Sequence, residues 1–158
     1  MASMKDLIDG MITILEAAQV AETLSTRKIF KGLQNVPMYA ATNEFPYIML
    51  DDGGETTEVS PNPDSTGAEN RMYNVVFEVG TYTMNFETSL NDVLDINDEL
   101  KTIIESDAVR TMLTTLDLDG FVWGVESTPF GWEDDSWFFR GRQIVVAFTG
   151  LADTIDKY

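Results

Sequence analysis

Carboxylates are the one chemically capable group that this sequence holds in quantity. It carries 27 aspartates and glutamates against 10 lysines and arginines, with no histidine and no cysteine in 158 residues. Paired carboxylates can hydrolyse glycosides, but at this abundance some pair must occur and its presence carries no information. Asp117-Leu-Asp-Gly120 resembles the start of a calcium loop. An EF-hand needs oxygen ligands at positions 1, 3 and 5, glycine at 6 and glutamate at 12. Here position 5 is Phe121, the glycine stands at 4 and position 12 is Thr128, so an ordinary turn is expected. Asp51-Asp52 and Glu133-Asp134-Asp135 read as solvated loop tips that could at most hold a divalent ion loosely.

The missing residue types are equally informative. Without histidine there is no Ser-His-Asp triad, no imidazole base and no imidazole-ligated metal within the chain. Without cysteine there is no thiol nucleophile, zinc cluster or disulfide. No glycine-rich phosphate loop and no Gly-x-Ser-x-Gly elbow is present. No catalytic residue, metal or cofactor is therefore assigned, and the chain is not expected to be an enzyme.

The net charge of −17 and a pI near 4.1 repel nucleic-acid phosphates and anionic membrane surfaces. Residues 1–36 hold four acids and four bases, which cancel, so the whole excess lies in residues 37–158. Arg27, Lys28 and Lys31 form the one basic cluster. They fit either a helix C-terminus, where cations are favoured, or a docking patch for an acidic neighbour. Asp6, Asp9 and Glu16 interrupt the N-terminal apolar stretch, which argues against a secretory signal. The longest unbroken apolar run, Ile144 to Phe148, is far short of the ~20 residues of a membrane span. The lack of cysteine fits a reducing cytosol, or a particle assembled there.

Aromatic density is the other unusual feature. Phe121, Trp123, Phe130, Trp132, Trp137, Phe138 and Phe139 fall within 19 residues. Some must pair across strands; Phe130 and Trp132, among acids on a loop, are candidate anchors for a protein partner.

These residues need a frame. Met4, Leu7, Ile8, Met11, Ile12, Leu15 and Ala18 recur at helical spacing behind a Ser3 N-cap, predicting a helix that fades near Leu24-Ser25. Phe45 to Leu50 predicts a short buried strand. Asp51 to Arg71 reads as a long acidic arm, on which Glu55 and Glu58 are candidate contacts. Met72 to Phe86 predicts a long strand with Val75, Phe77 and Val79 on one face. A helix capped by Thr88 or Ser89 follows, with Leu90, Val93, Leu94, Leu100, Ile103 and Ile104 inward; a second begins after Asp107. Phe121–Ser127 and Trp137–Phe148 predict a hairpin with a charged tip over residues 128–136, and residues 150–158 a short tail. The expected architecture is one α+β domain over residues 1–158: a four-stranded, mainly antiparallel sheet with helices on one face, in the order α-β-β-α-α-β-β.

This layout resembles the tail terminator (tail-completion, or neck) proteins of long-tailed bacteriophages. The amphipathic N-terminal helix, the Phe-Pro-Tyr-Ile-Met-Leu strand and the long loop and strand carry the likeness. So do the Asp92-Val-Leu-Asp-Ile-Asn-Asp-Glu-Leu100 helix and the closing hairpin, Gly120-Phe-Val-Trp-Gly-Val-Glu126 then Arg140-Gly-Arg-Gln-Ile-Val-Val-Ala-Phe148. It spans Met4 to Thr149 as a pattern of elements and lengths, with no diagnostic motif. The resemblance implies a virion protein assembled in the host cytoplasm, a homo-oligomeric ring of six that caps the tail tube. Its partners would be the tail tube protein and a head–tail connector or stopper; DNA would pass an acidic lumen without specific binding, and no membrane is involved. The arm, the hairpin tip and Arg140 and Arg142 are then the candidate ring contacts, although the two arginines could equally pair with acids on their own sheet. An acidic DNA mimic that inhibits a nucleic-acid-binding protein, or another head–tail joining protein, remains the competing expectation.

Overall fold

A computed structural model describes residues 3–32, 45–59, 68–126, 130–134 and 137–153. Helix α1 (Met4–Val20) begins where Ser3 accepts the Asp6 N–H at 3.1 Å, and it buries Leu7, Ile8, Met11, Leu15 and Ala18. It stops at Val20, earlier than its periodicity predicts, because the chain reverses through Glu22 at φ +61°. Strands β1 (Lys28–Lys31), β2 (Tyr47–Val59) and β3 (Ala68–Thr83) follow. Helices α2 (Phe86–Ile104) and α3 (Asp107–Thr115) come next, then β4 (Gly120–Glu126), β5 (Phe130–Asp134) and β6 (Trp137–Asp153). Asn85, not Thr88 or Ser89, caps α2: its side chain accepts the Thr88 N–H at 2.9 Å. Ser89 is buried one turn in, donating to the Phe86 carbonyl.

The α+β class holds, but the sheet has six strands where four were expected. The order is β1-β2-β3-β6-β4, with β5 continuing the β4 edge against the other half of β6. Every pairing is antiparallel except β1 with β2. Both added strands are short edge pieces: β1 has a lysine at each end, and β5 places Phe130 and Trp132 on a strand where a charged loop tip was expected. The sequence order becomes α-β-β-β-α-α-β-β-β. Much of the expected arm is also strand: β2 stays paired with β3 to Val59↔Glu69, with a register shift between Asp52 and Glu55 that Gly54 (φ +94°) accommodates. Residues 60–67 of the arm, and residues 33–44, lie outside the described residues. So does the tail beyond Asp153, the part before it having joined β6.

The main core lies between the sheet and the helices. Tyr73, Val75, Phe77 and Val79 of β3 and Ile144, Val146 and Phe148 of β6 meet α1, α2 and α3 there. On α2, Ile96 takes an inward place, whereas Leu94 is exposed. A second cluster of Phe45, Tyr47, Met49 and Phe139, with Phe30 and Tyr82 against it, lies on the opposite face.

Candidate assembly surfaces

The basic cluster does not sit at a helix end. With α1 ending at Val20, Arg27 leads into β1, whose first and last residues are Lys28 and Lys31. The Arg27 amide donates to the Pro46 carbonyl at 2.8 Å, which fixes β1 beside β2. Lys31 pairs with Asp9, which also holds Lys5 at 3.1 Å. These contacts, the Lys31 hydrogen bond foremost, keep the Asp9 carboxyl below its ordinary range. Lys28 stands 5.9 Å from the Phe30 ring and has no ion-pair partner among the described residues. Cations thus mark one margin of the sheet.

The other margin, β4 with β5, is apolar and acidic. Val122, Trp123 and Phe130 are three of the few large apolar side chains left exposed among the described residues, and Asp119 and Glu133 are exposed beside them. Gly141 lets the Phe130 ring lie against β6, 6.1 Å from the Phe139 ring. Trp132 holds the ladder position opposite Phe139; its side chain lies outside the described residues.

Arg140 and Arg142 project from β6 toward α2. The Arg140 guanidinium lies 4.6 Å from the Phe86 ring centroid. Arg142 approaches Glu126 at 3.2 Å, and the same carboxylate accepts from Asn97 at 2.9 Å and ion-pairs with Lys101 at 3.2 Å. Burial pushes the Glu126 carboxyl up, yet these donors and cations prevail and hold it below its usual range. The Arg142–Glu126 pair is the same-sheet alternative that the sequence offered for the arginines, whereas the two α2 partners, Asn97 and Lys101, were missed. Their one visible signal was Asn97 itself, a polar residue at an inward helical position, 3% exposed.

Glu55 is exposed on β2 opposite Tyr73, and Glu58 holds the ladder position opposite Asn70, its side chain outside the described residues. A groove of about 430 Å³ runs between α2 and the β1 lead-in, lined by Arg27, Pro46, Asp92, Asp95 and Glu99 among others. Burial first, and then Asp95, raises the Asp92 carboxyl. Ser25 caps Glu99 with its amide at 2.8 Å and its hydroxyl at 2.7 Å. Among the described residues no cluster of three or more acids is placed to hold a metal ion, and no helix is long and apolar enough to cross a membrane. Searched against family models and curated proteins, the chain matches none.

Proposed function

We propose that this chain is a structural virion protein. It forms a ring at the head-proximal end of a bacteriophage tail tube, ends tube polymerisation and joins the tail to the head connector or stopper. One observation carries the reading: the sheet runs on past its helical cover. The β3–β6 ladder extends to Ala68↔Asp153 and β2 to Val59, while five consecutive β2 residues, 52–56, are exposed. Adjacent strand residues point to opposite faces, so an exposed run of that length is open on both. A three-stranded projection of this kind has little use in a monomer and suits contacts between subunits. The −17 charge per copy suits a lumen through which DNA slides without phosphate-binding wells.

Light scattering across a wide range of protein concentration tests the reading. Six copies of 17.7 kDa, about 106 kDa, are expected, with rings in negative stain. Rings added to polymerising tail tubes should fix their length. A monomer that leaves tube length unchanged would overturn the proposal. One observation favours the competing DNA-mimic reading: Asp92, Asp95 and Glu99 stand in a row on α2 along an open groove. That reading predicts a monomer or dimer that titrates a nucleic-acid-binding protein, and a ring would exclude it.

A further inference from the structure

Building on the ring reading, we propose that the subunits join edge to edge. β1 of one copy pairs antiparallel with the β4–β5 margin of the next, so that the sheet continues around the ring. β1 and β4–β5 are the two ends of one sheet, and among the described residues no strand pairs with either outer side. Joining them is necessarily head-to-tail, the contact type that closes a ring when the rotation allows. The ends are also unlike in charge. Arg27, Lys28 and Lys31 mark one, while Asp119 and Glu133, with the exposed Val122, Trp123 and Phe130, mark the other. Lysines on a short edge strand discourage indiscriminate pairing, so the acidic margin of a second copy is the partner they admit.

The strand registers say which residues meet. β1 runs with β2 and β6, whereas β4 and β5 run against β6. Rotation about an axis along the strands keeps each direction, so the new junction is antiparallel. Such a rotation adds no rise, so each row of the sheet meets its own other end. One row runs Lys28, Tyr47, Gly80, Gly141, Phe130. Another runs Lys31, Leu50, Phe77, Ile144, Glu126. Both rows place a cation at one end and an aromatic ring or a carboxylate at the other. Lys28 of one copy therefore lies over Phe130 of the next, and Lys31 faces Glu126 there. Arg27 falls diagonal to Glu133.

The sequence holds no cysteine, which makes cross-linking a clean test. Lys28 and Phe130 sit at opposite edges of one sheet, about 19 Å apart at ~4.8 Å per strand, too far to bridge within a chain. The full chain carrying Lys28→Cys with Phe130→Cys, oxidised at ring-forming concentration, should give a covalent ladder up to six. Lys28→Cys with Val122→Cys, several rows away on the same margin, should give none. In parallel, Arg27→Glu or Glu133→Arg alone should raise the half-assembly concentration about tenfold, and the two together should restore it, with melting temperature unchanged. If the wild-type ring forms but the Lys28/Phe130 pair gives no ladder and the reversals leave assembly unmoved, the edge contact is wrong and the ring reading stands. A wild-type chain that stays monomeric and leaves the length of polymerising tail tubes unchanged overturns both.

Discussion

The two faces of the sheet are covered in different ways. Under the helices, aliphatic side chains of α1, α2 and α3 pack on a mixed surface of β3 and β6, where Val75, Val79, Ile144 and Val146 stand beside Tyr73, Phe77 and Phe148, so the helices meet the sheet with flexible ends. On the other face, rings lie on the strands themselves. Tyr47 sits over Gly80 and Phe130 over Gly141, and these glycines are neighbours across the β3–β6 ladder. Phe45 and Phe30 meet Tyr47 edge-on at 5.5 Å and 5.6 Å. One hydrogen-bonded tie pins the layer: Tyr47 donates to Glu78 at 2.7 Å and Gln143 donates to the other carboxylate oxygen at 2.9 Å. The helical face should tolerate small changes in shape, and the ring-on-backbone face should not.

Gly80→Ala is the sharpest way to break that contrast. A Cβ at Gly80 would fall inside van der Waals contact of the Tyr47 ring, which is fully buried and held by its hydroxyl. The ring cannot swing away without losing Glu78. A loss of about 3 kcal/mol is expected from the urea midpoint. A loss below about 0.5 kcal/mol would show that the aromatic layer yields as readily as the aliphatic one.

Tyr47→Phe keeps the ring and removes the tie. Glu78 is 9% exposed and would keep Gln143 alone, so a cost of about 2 kcal/mol is expected. Adding Glu78→Gln should recover part of it, because a neutral amide tolerates burial better than a carboxylate. No recovery would mean that the hydroxyl matters for packing and not for satisfying Glu78.

How much of this was legible beforehand follows the range of the forces involved. α1 and the inward face of β3 were readable because their periodicities of 3.6 and 2 are local. β1 was not: Lys-Ile-Phe-Lys is four residues with charged ends, a strand only because β2 stands beside it. At the start of the arm, Asp51 and Asp52 are depleted in strands, yet they pair with Val76 and Val75 of β3, while Gly53 and Gly54 fall at the register shift. The aromatic crowd was visible as composition. Which rings turn inward, as Phe139 does, and which stay exposed, as Phe130 does, depends on register across a six-stranded sheet. The basic cluster was visible too, but its place on a sheet margin depended on where α1 stops.

The Glu126 network belongs to the helical face and tests whether charge matters there. Its folded pKa lies below the unfolded value, so its stabilisation is present above about pH 4.3 and is lost as pH falls through the folded value. Glu126→Gln should cost about 1 kcal/mol at pH 7, the partial exposure screening the rest. The deficit should shrink toward zero in acid, where the wild-type carboxyl is itself protonated. A deficit independent of pH would assign it to packing against Asn97 and not to Lys101 and Arg142.

The smallest expected effect sharpens the comparison most. Gly10 lies in α1, where alanine is favoured over glycine by about 1 kcal/mol. A Cβ there would come within 2.5 Å of the Met112 sulfur, a closer approach than packing permits. That sulfur is near the end of an unbranched, half-buried side chain on α3, free to change rotamer. The propensity gain and the displacement therefore nearly cancel, and Gly10→Ala should change stability by less than about 0.5 kcal/mol. The same one-methyl change costs several times more at Gly80, because the obstacle there is a ring pinned at both ends. If Gly10→Ala is as damaging as Gly80→Ala, the helical layer is as unyielding as the aromatic one, and rigidity follows from burial alone.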